Sequence, residues 1–204
     1  MELYDTEEQQ VEAIKDWWKE NGKAVIIGAV VGLGSIFGWR YYQHSTLTAQ
    51  EITSESYRQV MANLTAQGLN AESDLLHFVE QYPKSQYAVL AAMQLAKVQA
   101  EAGQLDEAIA QLKWAQGATK DAALSPILTL NIARLQAEQN NFDMALAELT
   151  TITDANWLAR AAELRGDIAL RQGDKDAAYA AYSEAQQASS SSQTLQLKLD
   201  DLAR

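Results

Sequence analysis

No cysteine occurs in the chain, so disulfides, thiolate metal sites and lipid attachment through cysteine are excluded. Proline is nearly missing, with Pro83 and Pro126 the only two, so little interrupts a run of helix by removing a backbone N–H. Histidine is as scarce: His44 and His77 stand alone, and neither has a second ligand at metal-binding spacing. Positive charge is short as well, with 16 Lys and Arg against 27 Asp and Glu and a net charge of −11. So acidic a chain lacks the basic footprint that phosphate binding requires, and no nucleic acid is expected as a partner. Gly-rich phosphate loops, nucleophile elbows and zinc signatures are missing too. The acids are spread along solvated helix faces instead of being paired in an apolar pocket that would split their pKa values. No catalytic set, cofactor or metal is therefore expected.

What is plentiful is helix-forming material. Hydrophobic residues make up 48% and charged residues 21% of the 204 positions, the balance of a globular protein with a real core. Ala, Gln, Leu and Glu dominate from position 50 onward; all favour helix, and few β-branched clusters compete. The chain is expected to be all-α.

One long apolar run stands out. Residues 24–39 read AVIIGAVVGLGSIFGW, without a charge, between Lys23 and Arg40. Tyr41 and Tyr42 extend it to residues 24–42, about the minimum for crossing a bilayer core. Trp17 and Trp18 precede the run, and Trp39, Tyr41 and Tyr42 close it, as amphipathic rings do at headgroup depth. Lys23 and Arg40 can snorkel outward and lengthen the tolerable span. A buried soluble helix could be this apolar, but framing by charges and paired aromatics is unusual for one. A cleaved signal peptide would open with a short basic stretch and end at a small-residue site, whereas the leading segment here is long and net acidic. The run is expected to be an uncleaved anchor. Lys15, Lys19 and Lys23 precede it, while Arg40 stands alone after it until Arg58. By the positive-inside rule the start faces the cytoplasm and the remainder the opposite side, the periplasm in a Gram-negative source. Within the span, Gly28, Gly32 and Ser35 share one helical face, and Gly34 and Gly38 another. Small residues four apart let helix backbones approach closely, so both faces are candidate intramembrane contacts; the simpler alternative is that glycine is common in membrane helices.

Beyond the span the chain repeats itself. Gly103-Gln-Leu-Asp106-Glu-Ala108 is echoed by Asn140-Asn-Phe-Asp143-Met-Ala145 and by Gly173-Asp-Lys-Asp176-Ala-Ala178. Four residues after each alanine comes a large side chain (Leu112, Leu149, Tyr182), and twelve before it a small one (Ala96, Ala133, Gly166). Gly68 marks a fainter copy, so the turns at 68, 103, 140 and 173 are 35, 37 and 33 residues apart. This pattern resembles the tetratricopeptide repeat (TPR), a helix–turn–helix unit of about 34 residues. Small residues let the paired helices pack closely, and the large one fills the gap to the next hairpin. Gly or Asn ends the first helix in a left-handed conformation, and the Asp that follows is expected to cap the second. The proline that often ends a repeat is replaced by Ser125 and Trp157 at two such sites.

The expected fold is therefore one N-terminal transmembrane helix followed by a TPR-like α-solenoid with a C-terminal capping helix. Helices are expected at 2–20, 23–66, 71–81, 87–102, 105–117, 126–139, 142–152, 156–172, 175–187 and 193–203. The domains are a cytoplasmic segment 1–23, the span 24–42, a juxtamembrane helix 43–68, repeats 69–188, and a linker with capping helix 189–204. The last helix, carrying Leu195, Leu199 and Leu202, should cover the open end of the stack. In TPR-like stacks the first helix of each pair lines a groove. The candidate groove positions are Leu90, Met93, Lys97 and Glu101 in one repeat, and Ile127, Leu130, Arg134 and Glu138 in the next. Arg160, Glu163, Asp167 and Arg171 follow in the third. An apolar entrance with a flexible methionine suits a short hydrophobic segment of a partner; the alternative for Leu90, Met93, Ile127 and Leu130 is ordinary core.

The order of Glu20-Asn21-Gly22-Lys23, a glycine-rich span, Gly38-Trp39-Arg40-Tyr41-Tyr42, and hairpins containing Leu164-Arg165-Gly166-Asp167 and Gly173-Asp174 resembles the YfgM family over nearly the whole length. Those are bacterial inner-membrane proteins described as ancillary subunits of the Sec translocon. The resemblance implies a periplasmic TPR-like domain and association with SecYEG. It also implies partnership with a PpiD-type membrane-anchored periplasmic chaperone and a link to envelope stress through a response regulator on the cytoplasmic side. The implied function is a non-catalytic adaptor at the exit of the Sec channel that passes emerging secretory proteins to chaperones. The alternative is a membrane-tethered scaffold for envelope assembly, cell division or stress signalling.

Overall fold

The computed structural model describes residues 7–188 and 193–202. Residues 2–6 of the expected first helix, the 189–192 linker and residue 203 lie outside them. Two compact units, Met1–Ile52 and Thr53–Arg204, divide the chain. Along it run α1 (Glu7–Gln67), a 3₁₀ turn (Gly68–Ala71), α2 (Glu72–Gln81), α3 (Gln86–Glu101), α4 (Leu105–Ala118) and α5 (Leu124–Glu138). Then come α6 (Phe142–Leu149), α7 (Ala155–Arg171), α8 (Lys175–Ala188) and α9 (Gln193–Leu202). The described residues contain no strand.

In the first unit, the interruption expected at residues 21–22 does not occur, because α1 stays helical through both. Glycine weakens a helix partly by exposing its backbone to water. Here the Trp18 ring lies over Gly22, so close that a Cβ there would meet it at 3.1 Å. Asn21 stays within the helix by donating from Nδ2 to the Trp17 carbonyl at 3.1 Å. Every large apolar side chain from Val25 to Trp39 is exposed, a helix apolar all round in the manner of a membrane span and not of a soluble core. The Ser35 hydroxyl donates to the Val31 carbonyl at 2.7 Å, which satisfies it without water.

The second unit is a stack of antiparallel helix pairs. Its expected turns all take the left-handed conformation: φ is +57° at Gly68, +80° at Gly103, +62° at Asn140 and +84° at Gly173. The residue after each of the last three turns donates its N–H back to the helix just ended: Gln104 to Gln99 O at 2.8 Å, Asn141 to Gln136 O at 2.9 Å, and Asp174 to Ala169 O at 3.0 Å. These are Schellman closures, which use carbonyls that a helix end leaves free. The same residues open the next helix, their carbonyls accepting from Ala108, Ala145 and Ala178. The capping expected of Asp106, Asp143 and Asp176 is thereby corrected, since all three fall inside the first turn. There their charge favours the positive end of the helix dipole, but no N-terminal N–H is capped by them. Asp174 does cap α8, accepting from the Ala177 N–H at 2.9 Å.

Packing follows the repeat spacing. Ala96, Ala108, Leu112, Ala133, Ala145, Leu149, Gly166, Ala178 and Tyr182 are all buried. At Gly166 the fit is tight, because a Cβ would meet the Tyr182 ring at 2.4 Å. Two boundaries differ from expectation by more than one residue. Helix α6 stops at Leu149 and not at 152, where Thr150 and Thr151 donate their hydroxyls to the Ala147 and Glu148 carbonyls at 2.7 and 2.8 Å, a local alternative to further helix. Helix α5 begins at Leu124, so Pro126 lies within its first turn, where a missing N–H costs nothing. At the far end, Leu195 and Leu199 of α9 pack on Ala162, Ala169, Ala178, Tyr182 and Ala185, closing the stack as a cap.

Candidate functional site

The first helices of the three clear repeats, α3, α5 and α7, carry two neighbouring cavities. One, of about 400 Å³, is lined from α3 by Met93, Gln94, Ala96, Lys97, Ala100 and Glu101, from α4 by Leu112, and from α5 by Asn131, Arg134 and Leu135. The other, of about 360 Å³, is lined by Leu130, Arg134, Arg160, Glu163, Leu164, Asp167 and Lys198. Arg134 lines both. Met93, Lys97, Glu101, Leu130, Arg134, Arg160, Glu163 and Asp167, all picked out by the repeat pattern, thus sit on one or the other. Leu90, Ile127, Glu138 and Arg171 line neither. Leu90 is exposed and Ile127 half-buried. Glu138 accepts from Arg171 Nη1 at 2.7 Å, a tie between α5 and α7. Leu130 belongs to the buried core while reaching the second cavity.

The two cavities differ in chemistry. The first has an apolar floor of Met93, Ala96, Ala100, Leu112 and Leu135, with Lys97 and Glu101 at its side; those two face each other at 3.8 Å and are exposed. Met93 and Leu135 also lean on the buried core. The second is ringed by charge. Lys198 Nζ donates to Asp167 Oδ1 at 2.6 Å and to Glu163 Oε1 at 2.8 Å. The Tyr182 hydroxyl donates to the same Asp167 oxygen at 2.7 Å, and Lys198 Nζ lies 5.3 Å from the Tyr182 ring centre. Burial, then the bond to Asp167 and the charges of Asp167 and Glu163, push the Tyr182 phenol above its ordinary value. Burial by itself would lower Lys198, but its bonds to Asp167 and Glu163 and their charges outweigh that and raise it. Lys198 arrives from α9 and has no counterpart in the repeats, so their alignment gave no means of placing it here.

In the first unit, a Cβ at Gly28, Gly32, Gly34 or Gly38 would meet nothing within 4 Å. Both glycine faces are open on the helix surface, Ser35 among exposed neighbours beside the first.

Paired helices with left-handed turns, small residues at the crossings and a lined groove define a TPR-like repeat protein. The family described as a tetratricopeptide repeat-like domain matches residues 15–204. Solved structures agree on the fold. A tetratricopeptide repeat protein from Parabacteroides merdae superposes with a TM-score of 0.57 at 18% identity, covering 73% of this chain and 60% of that one. PilF of Pseudomonas aeruginosa gives 0.56 at 18% identity, over 75% and 68%. Similarity in sequence is more specific. The chain is 36% identical over 200 residues to an ancillary SecYEG translocon subunit of Haemophilus influenzae, covering 96% of this chain and 97% of that one. Its counterpart in Escherichia coli is 31% identical over 209 residues, with both chains covered completely. The chain belongs to the family of ancillary SecYEG translocon subunits, the YfgM family.

Proposed function

We propose that this protein is a non-catalytic inner-membrane adaptor that sits beside the Sec translocon and hands emerging secretory or envelope proteins to a periplasmic chaperone. The observation that carries the reading is full-length similarity, at 36% and 31% identity, to proteins named as ancillary SecYEG translocon subunits. Likeness over the whole length includes the anchor as well as the repeats, so the membrane segment belongs to the shared function. Three lysines before the span against Arg40 after it support a cytoplasmic start and a periplasmic solenoid. The open glycine faces of α1 offer a surface for the translocon's own membrane helices. The lined groove on α3, α5 and α7 offers the solenoid a place to hold a chaperone of the PpiD type or a client segment.

Mild-detergent co-purification of the full chain from membranes tests this reading. Recovery of translocon subunits together with a membrane-anchored periplasmic chaperone is the expected result. Recovery of division or envelope-assembly proteins in place of both would replace the adaptor with a tethered scaffold.

A further inference from the structure

Acids outnumber bases twenty to twelve across residues 43–204, so an arginine there has carboxylates to choose from. Arg58 pairs with Glu55, Arg165 with Glu184 at 2.6 Å and Arg171 with Glu138 at 2.7 Å. Arg134 and Arg160 do not, for neither makes an ion pair among the described residues. Each is held by a neutral group. Arg134 Nη1 donates to Asn131 Oδ1 at 3.2 Å, and the Arg160 guanidinium stands 5.0 Å from the centre of the Trp157 ring. A guanidinium stacked on an aromatic face keeps its in-plane N–H groups free, and those groups match a carboxylate two at a time. Both line the second cavity. The carboxylates in that cavity, Glu163 and Asp167, are already engaged by Lys198. Counted over its lining, Arg134, Arg160 and Lys198 against Glu163 and Asp167, the cavity is net positive within a chain of net charge −11.

We infer that the second cavity holds a carboxylate subsite, made by Arg134 and Arg160, for an acidic side chain of an extended peptide whose neighbouring apolar residue enters the first cavity. Arg134 joins the two, lining the apolar cavity as well as the charged one. An apolar residue resting on Met93, Leu112 and Leu135 therefore lies beside the charge that its acidic neighbour needs. The Lys198 clasp contributes by a different route: with Glu163 and Asp167 occupied, those two carboxylates repel an incoming acid less. The inference rests on the groove being a peptide-holding surface, and it adds which peptides are held best.

The full chain in detergent is titrated with three short Gly/Ser peptides, without charge apart from the single carboxylate that two of them carry, labelled with a zwitterionic rhodamine and read by fluorescence anisotropy. One contains Leu-Leu-Ser-Asp and is blocked at both ends. Its twin has Asn for Asp. The third has the Asn sequence but a free C-terminal carboxylate. The Asp peptide is expected to bind about fivefold more tightly than its Asn twin, the range of a partly exposed ion pair, with the advantage shrinking as salt is added. The double variant Arg134→Gln/Arg160→Gln should bind both blocked peptides alike. Arg171→Gln, whose arginine lies outside both cavities, should keep the preference. Because Arg134 and Arg160 are exposed, helix content and melting of the double variant are expected to match the parent, which circular dichroism checks. Equal binding of the Asp and Asn peptides by the parent chain, or a preference that survives the double variant, overturns the subsite while leaving the groove as a peptide surface. A free-terminus peptide that matches the Asp peptide overturns the assignment to an acidic side chain in favour of a chain end. Binding of none of the three removes the groove reading and the subsite together.

Discussion

Gly166 and Tyr182 show how the repeat adjusts single residues to each other. Where the first helix of a hairpin carries Ala96 or Ala133, the matching large residue on the second is Leu112 or Leu149. Where it carries Gly166, the match is Tyr182, whose ring occupies the space a Cβ would need. Gly166→Ala is accordingly expected to destabilise the chain by about 1–3 kcal/mol, the usual cost of an inserted group that its surroundings cannot absorb. Adding Tyr182→Leu should recover part of that loss, because the pair then matches the other repeats, although Tyr182 also gives up its bond to Asp167. Urea unfolding of the parent, both single variants and the double variant checks this through their departure from additivity; strictly additive losses would contradict it. These positions were legible in the sequence because the cause is local and recurs. Only Gly or a small polar residue takes a left-handed turn cheaply, so Gly68, Gly103, Asn140 and Gly173 announced the helix ends. The capping residues were misplaced by two positions: Asp106 for Gln104, Asp143 for Asn141 and Asp176 for Asp174. Aspartate is favoured in the first turn as well as at the cap, and composition does not separate the two.

Among the elements, α9 joins the solenoid through one apolar and one polar contact set. Leu195 and Leu199 close the core, and Lys198 reaches Asp167 and Glu163 on α7. The cap itself was legible, since an open stack must cover its last apolar face and three leucines at helical spacing do so. The clasp was not. Lys198 is 31 residues from Asp167 and 35 from Glu163, and nothing in the spacing of an unrepeated helix marks which of its charged residues turns inward. Its consequence is alkaline sensitivity. Tyr182 and Lys198 both hold their protons more tightly folded than free, from ordinary values of 10.0 and 10.5. Tyr57, raised by burial and then by Tyr87, acts in the same direction. A raised folded pKa contributes stability that is fully present below the unfolded value and is lost as pH rises through the folded one. Stability should therefore be insensitive to these groups up to about pH 10 and fall beyond it. The fall should be shallower in Tyr182→Phe, whose ring keeps its packing without a phenol to ionise. Denaturant midpoints measured from pH 8 to 11 check it, and identical slopes in parent and variant would show that Tyr182 contributes nothing to the alkaline loss.

At the scale of the whole molecule, one chain carries both an apolar helical segment and a repeat stack with two lined cavities. The apolar segment of α1 was readable from the sequence because a bilayer demands a continuous apolar run, and residues 24–39 supply one without a charge. The lining of the two cavities was readable in part. The repeat alignment found the α3, α5 and α7 positions that line the two cavities, but not that Glu138 and Arg171 would pair across helices and withdraw from them. Nor did it find that Arg134 and Arg160 would be left without an acid among the described residues, which depends on who pairs with whom in three dimensions. The net acidity of the solenoid, twenty acids against twelve bases over residues 43–204, disfavours polyanions as partners.

Site-specific photocrosslinking in intact cells tests the joint role of the two parts most directly, with one probe at Gly32 on an open face of the span and one at Met93 in the apolar cavity. The account predicts a translocon subunit captured at Gly32, and a periplasmic chaperone or an emerging secretory chain captured at Met93. Crosslinks confined to a second copy of the same chain, or to envelope-assembly proteins, would contradict it.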